Sequence, residues 1–215
     1  MLSLSDEILR IVGLLLMIVD HTSIYLSSDI GRIIGRLTAP IYFYLLVKGS
    51  ERTLNQNRYS GRLLFWAFIS QLTIFVCQVP LHKFNILFTL YYCSFMLRHK
   101  HKWQWLGLYS VVAQLFNLSY GWYGVICCYL LHLYRKSEPQ KIFGANTLFW
   151  LSWLLLHILV GIFYSYSQSF AVLSIFIIYI FESNSHKLTF KIPKIFWYSS
   201  YPLQWIILSQ IFKLV

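Results

Sequence analysis

Acidic residues are scarce in this chain. Of 215 residues only 7 are Asp or Glu, and charged residues of both signs make up 12%. A soluble domain carries about 25% charged residues, so a water-soluble enzyme with an ordinary polar surface is excluded. Disorder is excluded too, because it requires few apolar residues and 58% of this chain is hydrophobic. Cysteine is also sparse. Cys77, Cys93, Cys127 and Cys128 stand in apolar stretches, and none belongs to a C-x-x-C pair. They read as small buried hydrophobes, and no metal site is expected. The N-terminus lacks a basic leader and a small-residue cleavage site, and Asp6 and Glu7 precede the first apolar run. That run is expected to be kept as a span. The chain shows no internal repeat and no low-complexity segment.

What abounds is apolar and basic. A spanning helix takes roughly 20 residues, which leaves room for about eight to ten spans joined by short loops and for no soluble catalytic domain. The apolar runs predict spans near 8–26, 33–48, 63–80, 85–98, 103–119, 121–135, 146–165, 168–182 and 195–213. The second, fourth and sixth are short, so eight spans with a re-entrant piece is an alternative count. The expected fold class is all-α: a polytopic helical membrane protein of about nine spans, forming one domain over residues 1–215. The stretch Ser137-Glu138-Pro139 reads as a loop.

The formal net charge of +11 suits basic cytoplasmic loops better than nucleic acid. With a cytoplasmic N-terminus, 14 of the 18 Lys and Arg fall on that side. Only Arg32, Arg36, Lys83 and Lys213 fall on the other. Trp103, Trp105, Trp122, Trp150 and Trp197 stand near the predicted span ends, where interfacial aromatics belong.

Asp20 and His21 lie inside the first apolar run. An Asp at the centre of a span costs about 2.5–3.5 kcal/mol on insertion scales, so it is expected to face the bundle interior and to have a partner. Arg10 precedes His21 by 11 positions. At about 100° per residue that is about 20° past three full turns, which puts both on one face about 16 Å apart. One stands at the cytoplasmic mouth and the other well inside. This suits a long ligand with an anionic head and a reactive tail, such as an acyl-CoA.

The next run reads Gly31-Arg32-Ile33-Ile34-Gly35-Arg36-Leu37-Thr38-Ala39-Pro40. In an antiparallel hairpin Arg36 reaches the depth of Asp20, and we expect the two to pair. Arg32 shares a face with Arg36. It has two readings, a site residue or a side chain snorkelling to the outer headgroups. Gly35 allows close helix approach, and Pro40 is expected to kink the span. Gln71, Asn85, Thr89, Gln114, Asn117, Tyr120, Tyr123, Tyr201 and Gln204 read mostly as interhelical hydrogen-bond partners. His99 and His101 belong to a solvated turn. His132 and His157 have no acidic neighbour in sequence, which favours a structural role.

Ile11-Val12-Gly13-Leu14-Leu15-Leu16-Met17-Ile18-Val19-Asp20-His21, followed by the Arg32–Pro40 stretch, resembles the opening of the TraX family. The likeness continues through Ile69-Ser70-Gln71, Asn85-Ile86-Leu87-Phe88-Thr89, Tyr120-Gly121 with Gly124, and Tyr201-Pro202-Leu203. It runs in order over almost the whole chain. The family is named for a conjugative pilin acetylase and is grouped with transmembrane acyltransferases, some of which carry an Arg and a His at the Arg10–His21 spacing. The resemblance implies acetyl transfer from cytoplasmic acetyl-CoA to an amine at the outer face of a bacterial inner membrane. For the member that names the family the resemblance implies the N-terminal residue of a pilin as that amine, and nothing in the sequence chooses between it and an amino sugar. By the same resemblance His21 is the catalytic base with Asp20 beside it, while Arg10, Arg36 and Asn85 hold the donor. Arg32, Tyr120, Tyr201 and Gln204 then line the acceptor side.

Two positions depart from the family pattern. Gln204 stands where a His is usual, and glutamine cannot take up a proton at neutral pH. Lys48 stands where many members have Glu. Two other classes remain open from sequence: a small proton-coupled transporter built on Asp20, His21 and the arginines, and a non-catalytic pilus or envelope assembly factor. The transporter reading lacks an inverted repeat or a pair of Gly-broken helices.

Overall fold

The computed structural model describes residues 4–79, 83–137, 147–183 and 192–213. These fold into α1 (Leu4–Leu26), α2 (Asp29–Gly35), α3 (Thr38–Arg52), α4 (Gln56–Val76), α5 (Ile86–Met96) and α6 (Lys102–Leu115). They continue through α7 (Gly121–Lys136), α8 (Thr147–Phe163), α9 (Tyr166–Ser169), α10 (Ser174–Ser183) and α11 (Lys194–Lys213). A 3-10 turn, Phe170–Leu173, joins α9 to α10. Among the described residues the only extended pairing is a single bridge between Phe84 and Leu118. Counting α2 with α3 and α9 with α10 as broken segments gives nine helical segments among the described residues, one for each predicted span. Glu138 and Pro139 of the predicted loop, and Lys141, Lys187 and Lys191 of the basic set, lie outside the described residues.

Four of these segments are long and apolar enough to cross a membrane: Asp6–Leu26, Asp29–Arg52, Gln56–Val76 and Tyr166–Ser183. Ile86–Met96 and Thr147–Phe163 are shorter apolar helices. The apolar side chains left outside are ordered in stripes. Phe65, Phe68, Leu72, Phe75 and Val76 are exposed on α4, and Leu148, Leu151, Leu155, Ile158 and Ile162 on α8. Contiguous apolar faces of this kind are unstable in water and are what a helix presents to lipid. Trp103 and Trp105 open α6, Trp122 opens α7, Trp150 stands in the first turn of α8 and Trp197 in that of α11. Cys93, Cys127 and Cys128 are buried and Cys77 is half-buried.

The helices group into two compact units. The first is Met1–Val47 with Ile126–Lys191, and the second is Lys48–Val125 with Ile192–Val215. Membership changes within α3 and within α7.

In the first unit α2 folds back against α1. Ser27 takes a left-handed φ of 49° and Ser28 caps α2 by accepting from the Gly31 amide at 3.3 Å. The kink expected at Pro40 appears as a full break upstream of it. α2 ends at Gly35 and α3 starts at Thr38. Proline gives no N–H to the carbonyl four residues earlier, and its ring clashes with that carbonyl. That residue is Arg36, the C-cap of α2, so the helix breaks there while Pro40 sits within the first turn of α3. Asp6 and Glu7, which the sequence places as flanks of the first span, lie inside α1 and are buried.

In the second unit Arg98 ties the end of α5 to the start of α4. Its guanidinium donates to Asn57 Oδ1 at 2.8 Å, to the Gln56 carbonyl at 2.9 Å and to Ser60 Oγ at 2.5 Å. Trp66 of α4 stacks on Tyr198 of α11.

Candidate functional site

The first unit contains a buried cluster centred on Asp20, which is only 7% exposed. Arg32 Nη1 donates to Asp20 Oδ1 at 3.0 Å and to the Asp20 carbonyl at 3.3 Å. Arg36 Nη2 stands 3.5 Å from the same Oδ1. The expected Asp20–Arg36 pair therefore exists, but Arg32 is the nearer partner. The Arg32 guanidinium pairs with Asp20 while its side chain stays 32% exposed. The Arg36 side chain is 12% exposed. Opposite charges and hydrogen bonds offset the cost of burying each group, and removing one partner would leave the others expensive.

Small residues make this approach feasible. A Cβ on Gly31 would meet Ser23 Oγ at 1.9 Å, and one on Gly35 would meet Asp20 Cβ at 2.2 Å. Gly31 and Gly35 thus let the α2 backbone rest on α1 at Ser23 and Asp20, in the manner of small residues spaced four apart on membrane helices.

Arg36 has a second partner that sequence reasoning did not single out. Its Nη1 donates to Gln168 Oε1 at 3.3 Å, across 132 positions of sequence. Gln168, on the short helix α9, is 5% exposed. Two polar atoms of this pair, Arg36 Nε and Gln168 Nε2, are buried without a hydrogen-bond partner among the described residues. Buried donors are nearly always satisfied, so an unmet pair calls for an acceptor. No sequence signal marked Gln168. It reads there as the first residue of the eighth span.

His21 follows Asp20 on α1 and is half-buried. Arg10 stands closer to the start of the same helix and pairs with Glu7 at 3.2 Å, one turn away. His157, buried in α8, has Nδ1 2.8 Å from the Trp153 carbonyl, in keeping with a structural role.

The remaining predicted site residues belong to the second unit. Asn85 is spent on the fold. Its Nδ2 donates to the Ala67 carbonyl at 2.8 Å and to Gln71 Oε1 at 3.0 Å, and its Oδ1 caps α5 by accepting from the Leu87 amide at 3.0 Å. Tyr120 precedes α7 with a left-handed φ of 67°, a costly conformation for an aromatic residue, and its ring lies 6.0 Å from that of Tyr123. The adjoining Ser119 is held by Phe84 and Thr89. Tyr201 and Gln204 are buried on α11 around the internal Pro202, and Tyr201 meets Trp205 edge-to-face at 6.5 Å. No group of three or more potential metal ligands occurs among the described residues.

Helical segments with lipid-type faces and a buried Asp–Arg–Arg–Gln cluster define a polytopic helical membrane protein with an ionisable site in its interior. The chain belongs to the TraX family: the match to "TraX protein" spans residues 5–212. A curated relative, the "Probable fimbrial assembly protein FimC, serogroup H1" of Dichelobacter nodosus, is 35% identical over 69 residues. That stretch is 29% of this chain and 28% of the relative, so the chain covers little more than a quarter of it. No solved structure matches.

Proposed function

We propose that this protein is a membrane-embedded acetyltransferase. It moves an acetyl group from cytoplasmic acetyl-CoA, a substrate, to an amine at the outer face of the bacterial inner membrane. The N-terminal residue of a pilin is the first candidate acceptor, and an amino sugar is the second. The observation that carries this reading is the buried Asp20 held by Arg32 and Arg36 on the hairpin whose first helix also bears His21. Ionisable residues inside membrane helices are costly and mark function. Family membership supports the chemistry chosen for them.

An amine must lose a proton as it attacks a thioester carbonyl. The imidazole of His21 takes that proton as the C–N bond forms and returns it to sulfur as the C–S bond breaks, so that an amide and CoA thiol are produced. Asp20 and His21 are about 100° apart on their helix. Asp20 accordingly works through its arginines, fixing Arg36 rather than gripping the imidazole. Arg10 at the start of α1 and the basic residues assigned to the cytoplasmic side attract the donor's phosphates.

The test is mass detection of acetyl transfer by the purified full chain, given acetyl-CoA with pilin-like peptides or amino sugars. A gain of one acetyl group, lost in folded His21→Ala, supports the enzyme. Equal transfer by His21→Ala removes His21 as the base. The relative's name favours one further reading, a non-catalytic assembly factor. Absence of transfer to any amine, with pilus formation still dependent on this chain, would favour that reading instead.

A further inference from the structure

We propose that one end of the second unit is a binding surface for anionic phospholipid, with headgroups at Arg58 and Lys100 and acyl chains along α4 and α6. The inference is independent of the acetyltransferase reading. The second unit carries a single acidic residue, Glu51, against ten Lys and Arg. Arg98 gathers part of this charge at one end. Its guanidinium, at the end of α5, donates to Gln56, Asn57 and Ser60 at the start of α4. All three acceptors are neutral, so none of them cancels the Arg98 charge. Arg58 follows Asn57 directly and is exposed, and Lys100 is exposed in the turn that leads from Arg98 into α6.

Both cations head an apolar stripe. On α4, steps of three or four residues lead from Arg58 through Gly61, where a Cβ would meet nothing within 4 Å, to the exposed Phe65, Phe68, Leu72 and Phe75. Helix α6 opens on Trp103 and Trp105, 64% and 42% exposed, and continues through the exposed Leu108, Val111 and Leu115. Residues at such spacing share one helix face. Trp rings settle at headgroup depth, which puts Lys100 beside the lipid phosphates. A cation at the head of an apolar stripe matches an amphiphile with a phosphodiester head and acyl chains. A free phosphate, or the nucleotide end of CoA, would use the cation and leave the stripe uncovered. These basic residues are assigned to the cytoplasmic side by their charge, and clustered Lys and Arg there attract anionic lipid. The headgroup lies on the surface, so no cavity is required.

The full chain, purified in detergent, is titrated with phosphatidylglycerol or phosphatidylcholine, and bound lipid is counted by native mass spectrometry. We expect phosphatidylglycerol to bind about tenfold more tightly or better. Equal affinity for the two lipids would overturn the proposal, and this comparison needs no variant. Arg58→Gln and Lys100→Gln should each weaken phosphatidylglycerol binding about fivefold, the usual worth of one basic residue near an anionic surface. Lys136→Gln is the control. It removes an exposed cation from the end of α7, where Leu133 is the only large apolar side chain exposed among the described residues. Unchanged affinity in Lys136→Gln supports the site. A loss equal to that in Lys100→Gln would reveal a net-charge effect and overturn it.

Competition separates the occupants. Glycerol 3-phosphate and CoA should leave phosphatidylglycerol bound, because neither covers the stripes. Displacement by either would assign the cations to a soluble phosphate and overturn the proposal.

Discussion

Gly35 rests directly on Asp20: a Cβ at position 35 would lie 2.2 Å from Asp20 Cβ and 2.6 Å from Asp20 Cα. The second of these contacts is with backbone, so no side-chain rotation relieves it. The contact that brings Arg32 and Arg36 to Asp20 therefore depends on the absence of a side chain at one position.

Gly35→Ala should displace α2 from α1 and weaken the Asp20–Arg36 pair. Overpacking costs typically about 1–3 kcal/mol, and contact with backbone puts this site at the upper end. Chemical denaturation in detergent should register the loss. Gly61→Ala and Gly107→Ala are the controls, since a Cβ at either meets nothing within 4 Å, and both should leave stability unreduced.

A half-buried ion pair links α7 to α10 in the first unit. Arg135 Nη1 donates to Glu182 Oε1 at 2.8 Å and to the Tyr44 hydroxyl at 3.1 Å, and that hydroxyl donates to Glu182 Oε2. The Arg135 and Glu182 side chains are each 18% exposed. Glu182→Leu removes the carboxylate that faces the Arg135 guanidinium and should lower stability, by less than the about 3–5 kcal/mol typical of breaking a fully buried pair. The double variant Arg135→Met/Glu182→Leu should recover much of that loss. A double-mutant cycle on unfolding free energy measures the coupling, and strict additivity would contradict it.

Asn85→Ala should act on stability before it acts on chemistry. The change removes the cap of α5 together with both Nδ2 bonds to α4. A lost cap alone costs about 0.5–2 kcal/mol. The expected result is a lower unfolding midpoint, with the surviving folded fraction keeping wild-type affinity for acetyl-CoA. A folded variant with lost affinity would instead return Asn85 to the donor site.

Much of the cluster was legible before any fold was known, because a membrane makes ionisable residues conspicuous. Asp20, His21 and Arg36 stood out in apolar runs, and helical rise placed Asp20 and Arg36 at equal depth in a hairpin. Pro40 announced a disruption, though the break falls at the residue whose carbonyl it fails to bond. Gln168 left no trace, because an uncharged amide at the start of a span looks like an ordinary boundary residue. Glu182 and Glu7 were equally opaque. Each sits near a helix end, where sequence suggests solvent, yet Glu182 is claimed by Arg135 and Tyr44 and Glu7 by Arg10.

By itself the sequence determined the helical, lipid-facing class of the fold and the cost that Asp20 must recover, since each follows from local composition and length. The tertiary structure decided who meets that cost. Arg32 proved nearer than Arg36, Gly31 and Gly35 proved to be the points of backbone contact, and Gln168 joined the cluster from 132 positions away. Local periodicity cannot encode such choices, because a hydrogen bond lasting in a dry interior depends on distances of a few tenths of an ångström between helices far apart in the chain.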